Sequence, residues 1–266
     1  MDTRMTPEQL RIIIDDTENL PSIIEGLVDQ YFEQSFSKSE SDENVIDVMA
    51  FQSKTVMKNN VKIIEKMSES LIEKYFLHSF NISTLLCGLD LPVTFLEPHC
   101  SISSAELYID SFRKDHKEKE DLYQSFKCQY PQYGGREFLK VLEESGKLTE
   151  QELMGFRVYI ILYRDMMCNA VHFIPQAKLP DTKVDGKGIR VDGLLWIPSK
   201  PDFKVIVECD GYKYHGNKAS FINDRKRDRV LKRNGYTVLR YSGSEIWSQP
   251  VESGIDLVEY LLECCE

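Results

Sequence analysis

The chain has 266 residues, 42% of them hydrophobic, which is enough apolar material for one large domain or two modest ones. Its seven cysteines (87, 100, 128, 168, 209, 264 and 265) are odd in number and show no paired C-x-x-C spacing, which excludes a disulfide framework and a zinc ribbon and fits a reducing cytoplasm. No apolar run approaches the ~18 residues of a membrane span, the N-terminal stretch has no secretory apolar core, and a net charge of −10 argues, as a sum, against a polyanionic partner.

In chain order, the first ~145 residues read as mostly helical. Thr6-Pro7-Glu8-Gln9 is a capping box with proline at the first helical position. Ser22-Ile23-Ile24-Glu25 repeats the box. Residues 37–44 are polar and predict a loop. Met57, Val61, Ile64, Leu71, Tyr75 and Phe76 keep helical spacing along one long amphipathic helix, punctuated beyond by Gly88 and Pro92. Ser103-Ser104-Ala105-Glu106 opens a charged helix that ends before Pro131 and the Gly134-Gly135 pair.

Thr149-Glu150-Gln151-Glu152 then caps a helix running to about Cys168. Residues 171–174, 188–197 and 203–210 predict three strands separated by turn residues. A charged helix is expected over residues 220–234, a strand over 236–241 and a helix over 251–264. The order α-β-β-β-α-β-α implies a mixed sheet flanked by helices, an α+β or α/β fold.

The chemistry concentrates in residues 205–215, V-I-V-E-C-D-G-Y-K-Y-H. Residues two apart on a strand share a face, so Glu208 and Asp210 project together from the end of a buried strand. Two adjacent carboxylates repel, and a hard divalent cation is the usual compensation. Asp192, on the preceding strand, is within reach of the same ion. Charge distribution agrees: residues 181–245 hold 14 basic and 9 acidic side chains, whereas the remainder holds 19 basic and 34 acidic. The local field, not the global sum, is what a polyanion meets.

Asp192 followed by Glu208-x-Asp210 resembles the PD-(D/E)XK, restriction endonuclease-like nuclease superfamily. Three further features extend the likeness: Glu208-Cys209-Asp210-Gly211-Tyr212-Lys213-Tyr214-His215, a helix with Asp224, Arg227, Leu231 and Gly235 at D-x-x-R-x-x-x-L-x-x-x-G spacing, and the Val-Leu-Arg of a strand bearing Arg240. Together they look like the branch that includes very-short-patch repair endonucleases and helicase-associated nuclease domains. Ile174-Pro175-Gln176 also fits that branch. The resemblance covers about residues 149–247.

The resemblance implies an αβββαβ core within residues 136–266, preceded by an all-α domain over 1–135 that serves recognition, regulation or oligomerisation. It implies Mg²⁺ or Mn²⁺ held by Asp192, Glu208 and the backbone carbonyl of Cys209. Asp210 stands where a lysine is usual, and Lys213 and His215 are the nearby groups that would orient water or move a proton. Arg225, Lys226, Arg227, Arg229 and Arg240 would contact nucleic-acid phosphates. Supporting positions near the metal fall to Gln176, Asp224 and Glu152, although Glu152 is also the fourth residue of a capping box.

The expected activity is phosphodiester hydrolysis in DNA, plausible in restriction or defence, by a cytoplasmic protein without a membrane partner. A homodimer is one route to a double-strand cut, and the helical domain is a place for a protein partner. Two other readings use the same residues: a catalytically silent nucleic-acid-binding or assembly module, and an RNA-cleaving toxin.

Overall fold

A computed structural model describes residues 19–36, 43–67, 70–87, 93–211 and 218–265. The elements run α1 (Leu20–Phe36), α2 (Glu43–Met67), α3 (Leu71–Leu86), β1 (Thr94–Phe95), α4 (Ile102–Asp115), α5 (Lys117–Gln129), α6 (Gly135–Glu144) and α7 (Glu150–Tyr159), the last continued by a π-helical segment, Ile160–Asn169. Then follow β2 (His172–Pro175), β3 (Lys178–Val184), β4 (Lys187–Arg190), β5 (Gly193–Ile197), β6 (Lys200–Asp210), α8 (Lys218–Arg233), β7 (Thr237–Ser242), α9 (Gly243–Ser248) and α10 (Pro250–Cys265). The expected capping box at Thr6–Gln9, residues 37–42 of the predicted loop, Gly88, Pro92, Lys213 and His215 lie outside the described residues.

Five strands form one mixed sheet in the order β1-β2-β5-β6-β7. The pairs β1–β2 and β6–β7 are parallel, while β2–β5 and β5–β6 are antiparallel. A parallel neighbour needs a crossover, and α8 supplies it between β6 and β7. The sheet is buried on both sides, which explains why its strands read as continuous apolar runs rather than alternating ones. Phe173, Leu195, Val205 and Val207 share one cluster with Phe76 and Phe80 of α3 and with Val251, Leu257 and Leu261 of α10. Ile174, Leu194, Trp196 and Ile206, at the alternate positions, are buried as well.

Two compact units divide the chain: Ile102–Ala170, and a second built from residues up to Ser101 together with those from Val171 onward. This differs from a boundary near residue 135. Ile24, Val28, Met57, Val61, Ile64 and Phe76 belong to the same apolar cluster as the sheet, so among the described residues α1–α3 have no core apart from it. Asn60, fully buried on α2, ties that helix to the edge strand: its amide donates to the Val93 carbonyl at 2.7 Å and its oxygen accepts from the Phe95 N–H at 2.9 Å. The unit Ile102–Ala170 has its own core of Tyr123, Phe126, Phe138, Leu139, Tyr159 and Tyr163.

Several local expectations change. The long helix through residues 57–76 is two helices, because Ser70 caps α3 by accepting the Glu73 N–H at 3.1 Å. Helix α1 starts at Leu20, with the Ile23 N–H donating to the Asn19 carbonyl, so Ser22 lies in its first turn rather than capping it. The charged helix expected from residue 103 breaks at His116 into α4 and α5. The strand predicted over 188–197 is β4 and β5 of separate sheets, interrupted at Val191 and Asp192. The β3–β4 hairpin, unforeseen, turns on Asp185 (φ 50°) and Gly186 (φ 79°), an Asp-Gly pair suited to a two-residue turn.

Helices α3 and α10 approach closely at Gly254. A Cβ there would stand 2.5 Å from Ser79 Oγ and 2.7 and 2.8 Å from backbone atoms of Ser79 and Phe80. Gly254→Ala is therefore expected to cost about 1–3 kcal/mol of stability. Urea unfolding would show it as a lower midpoint with an unchanged slope.

Candidate active site

The antiparallel register pairs Gly193 with Val207 and Leu194 with Ile206. One step beyond that ladder, Asp192 comes alongside Glu208. The segment that carries Asp192 is braced from two sides. Its carbonyl accepts the Gln176 N–H at 2.7 Å, and the neighbouring Val191 N–H donates to Ala177 at 3.0 Å. Its carboxylate Oδ2 accepts the Cys209 N–H at 2.9 Å. Gln176 holds this brace from a left-handed backbone (φ 48°), a conformation that costs a non-glycine residue about 1 kcal/mol or more.

Burial makes both carboxylates reluctant to ionise. Asp192 is pushed above the usual range by desolvation, against the opposing pull of the Cys209 N–H. Glu208, 4% exposed, is raised from 4.5 to about 7, chiefly by burial, with the Asp192 charge adding to the rise and Arg227 opposing it. Arg227 of α8 grips Glu208: Nη2 lies 2.6 Å from Oε1 and Nη1 3.4 Å from Oε2. The same Nη2 donates to the Arg190 carbonyl at 2.7 Å.

Asp210 points into a different network. Arg240, across the parallel β6–β7 ladder, donates from Nη1 to both Asp210 oxygens at 2.9 and 3.0 Å and from Nη2 to Asp228 at 2.6 Å. These two carboxylates hold the Arg240 guanidinium firmly protonated, outweighing its partial burial. The position where a lysine is usual is thus occupied by an acid carrying its own arginine.

The structure places the remaining predicted residues as follows. Cys209 lies between the two acids of β6, its thiol pushed well up by burial. Gln176 is buried beside the site, with Nε2 donating to Glu73 at 3.2 Å and Oε1 unpaired among the described residues. Asp224 is exposed on α8, whereas Arg227 of that helix reaches Glu208 and Asp228 accepts from Arg240. Arg225 and Arg229 are exposed, and Lys226 pairs with Asp185 of the hairpin turn. Glu152 is engaged as a helix cap, accepting the Thr149 N–H at 2.8 Å and hydroxyl at 2.7 Å.

Glu73 is the residue that sequence reasoning missed. It stands in the first turn of α3 and lines a small pocket with Asp192, Gly193 and Cys209. Its signal was present: Ser70-x-x-Glu73 is a helix-start signature. The capping function is met by Ser70, and the Glu73 carboxylate turns to Gln176.

Among the described residues, no group of three or more His, Cys, Asp or Glu is placed to hold a metal ion. A site with two carboxylates still suits Mg²⁺, which keeps several waters and is commonly bound through one or two protein carboxylates plus substrate oxygens. The donors here are hard oxygens, and Gln176, whose N–H holds the Asp192 carbonyl, carries a buried Oε1 unpaired among the described residues.

Residues 176–261 match the family model REase_MTES_1575, a restriction endonuclease-like family. The match spans about a third of the chain and contains Asp192, Glu208, Asp210, Arg227 and Arg240. It points to a nuclease, and the five-stranded mixed sheet flanked by helices is consistent with that fold. No curated protein and no solved structure matches the chain.

Proposed function

We propose that this protein is a Mg²⁺-dependent endonuclease that hydrolyses phosphodiester bonds of DNA. The carrying observation is the Asp192–Glu208 pair: one part-buried and one buried carboxylate on neighbouring strands, inside the segment that matches the restriction endonuclease-like family. Asp192, Glu208 and the Cys209 carbonyl would hold the ion. When bound, the ion supplies charge neutralisation at the phosphate and a more acidic water.

The chain's own groups do the rest. The Gln176 N–H holds the Asp192 backbone carbonyl, and the Cys209 N–H fixes the direction of its carboxylate. Arg240 neutralises Asp210 and so keeps a third anion from repelling the phosphate. Exposed Arg225 and Arg229 offer phosphate contacts along α8. Glu73, reaching the same pocket from α3, completes an acidic rim. One such site cuts one strand, so a double-strand break takes a dimer or two successive nicks.

The Asp210–Arg240 pair also favours a second reading, a nuclease fold used only to bind nucleic acid. Incubating purified protein with duplex DNA and Mg²⁺ separates the two. Cleavage is expected, stops in EDTA, and rises as pH passes through about 7, because Glu208 must be ionised to hold a cation. Stability runs the opposite way. Glu208 binds its proton more tightly folded (about 7) than unfolded (4.5), so the fold loses roughly 3 kcal/mol as pH rises through that window. Metal-independent cleavage would refute the metal dependence, and none at any pH with DNA bound would refute the enzyme reading.

A further inference from the structure

Arg227 sits where a cation belongs. Among the described residues, both hydrogen bonds accepted by Glu208 come from this one guanidinium. A buried carboxylate with no partner is costly, so the side chain stabilises the metal-free site. It does so on the oxygens that a divalent ion needs. A divalent ion held by Glu208 would need the carboxylate oxygens that the guanidinium engages, and two positive charges at one carboxylate repel. The ion and the arginine compete for Glu208.

Arg227 is also built to leave. Its side chain is 23% exposed, against 5% for that of Glu208, so its outer edge reaches solvent. Among the described residues three hydrogen bonds engage it, whereas a guanidinium has five N–H donors in a fork that fits phosphate. The helix that carries it exposes Arg225 and Arg229 nearby, so a phosphate drawn to α8 arrives beside Arg227.

Resting on the metal reading above, we propose that Arg227 is a tethered counter-ion: it holds the cation position while the site is idle and transfers to the substrate phosphate, which opens Glu208 to the divalent ion. Metal uptake and nucleic-acid binding are then coupled, each favouring the other. The idle protein binds metal poorly and is protected from using it on the wrong substrate.

Calorimetric titration of Mn²⁺ tests this, at about pH 8.5, where carboxylates are ionised. Arg227→Gln is expected to bind Mn²⁺ about tenfold more tightly than the wild type in the absence of DNA. A phosphorothioate duplex, which resists hydrolysis, should strengthen Mn²⁺ binding about tenfold more in the wild type than in Arg227→Gln. A second measurement needs no variant: in the wild type, the guanidinium NMR signal of Arg227 should be exchange-protected alone and released once Mg²⁺ and duplex are both added.

Equal Mn²⁺ affinity in wild type and Arg227→Gln, with the guanidinium signal unmoved by Mg²⁺ and DNA, would overturn the proposal. Absence of Mn²⁺ binding by either protein, with or without DNA, would overturn the metal reading itself and this coupling with it.

Discussion

Glu208→Ala is expected to lower divalent-cation binding below detection and to slow DNA cleavage by roughly a thousandfold or more, with the circular dichroism spectrum unchanged. The change removes one of two carboxylates at the site and with it most of the attraction for a hard cation. The fold tolerates it for an electrostatic reason. Glu208 ionises only above about 7 because burial opposes its charge, so at neutral pH it contributes little stability. Its partner Arg227, 23% exposed, can turn to solvent.

Asp192→Ala should abolish cleavage equally but at a further cost. The Cys209 N–H loses its acceptor, and an unpaired buried donor costs about 1–3 kcal/mol. The pair is thus separable by thermal melting even though the activities are alike. Cleavage that survives in both variants would remove the Asp192–Glu208 pair from the mechanism.

Gly193→Ala is the second large effect, and it acts through packing. A Cβ at residue 193 would stand 2.2 Å from Phe173 Cζ and 2.6 Å from Cε2. Phe173 has no room to yield: it is 1% exposed and packs on Phe95 and Phe80, with ring centroids 4.8 and 5.9 Å away. Either the ring or strand β5 must shift, at about 3 kcal/mol. Any shift of β5 drags Asp192, the residue before it, away from Glu208. Gly193→Ala should therefore lower the melting temperature and the cation affinity together, whereas Gly254→Ala should lower only the first. A Gly193→Ala protein with wild-type melting and cation binding would show that Phe173 relaxes freely.

The part of the chain legible in the sequence is the part where neighbours in sequence are neighbours in space. Strands β5, β6 and β7 and helix α8 follow one another and pack directly, so apolar runs, turns and carboxylate spacing were enough to bring Asp192 and Glu208 together, whereas Arg227 came only through the resemblance, as a phosphate contact. The helix that backs the sheet could not be read this way. The resemblance nominates Glu152, on the helix beginning at Glu150. In the structure α3 packs in one cluster with the sheet, and Glu73 reaches the pocket.

Nothing local marks that substitution. Strand β1 is only two residues long, too short to register as a strand, and Ile102–Ala170 intervenes between it and its partner β2. The role of Asp210 was equally hidden. Its spacing from Glu208 suggests a shared ligand, and only the parallel register that sets Glu208 opposite Arg240 reveals the competing arginine.

The interruption between β1 and β2 also bears on how the protein is made. A ribosome delivers α1–α3 and β1 first, yet Phe173, Leu195, Val205 and Val207, which share the cluster with Phe76 and Phe80, are synthesised only after all of Ile102–Ala170 has emerged. That intervening unit is continuous in sequence and has its own core, so it can fold while the chain is still growing. The earlier helices must keep their apolar faces shielded until β2–β7 and α10 arrive. Nascent chains stalled before residue 171 should therefore engage holdase chaperones through α1–α3, and expression of the matched segment 176–261 alone would leave the sheet without β1, β2 and the helices α1–α3 that pack with it.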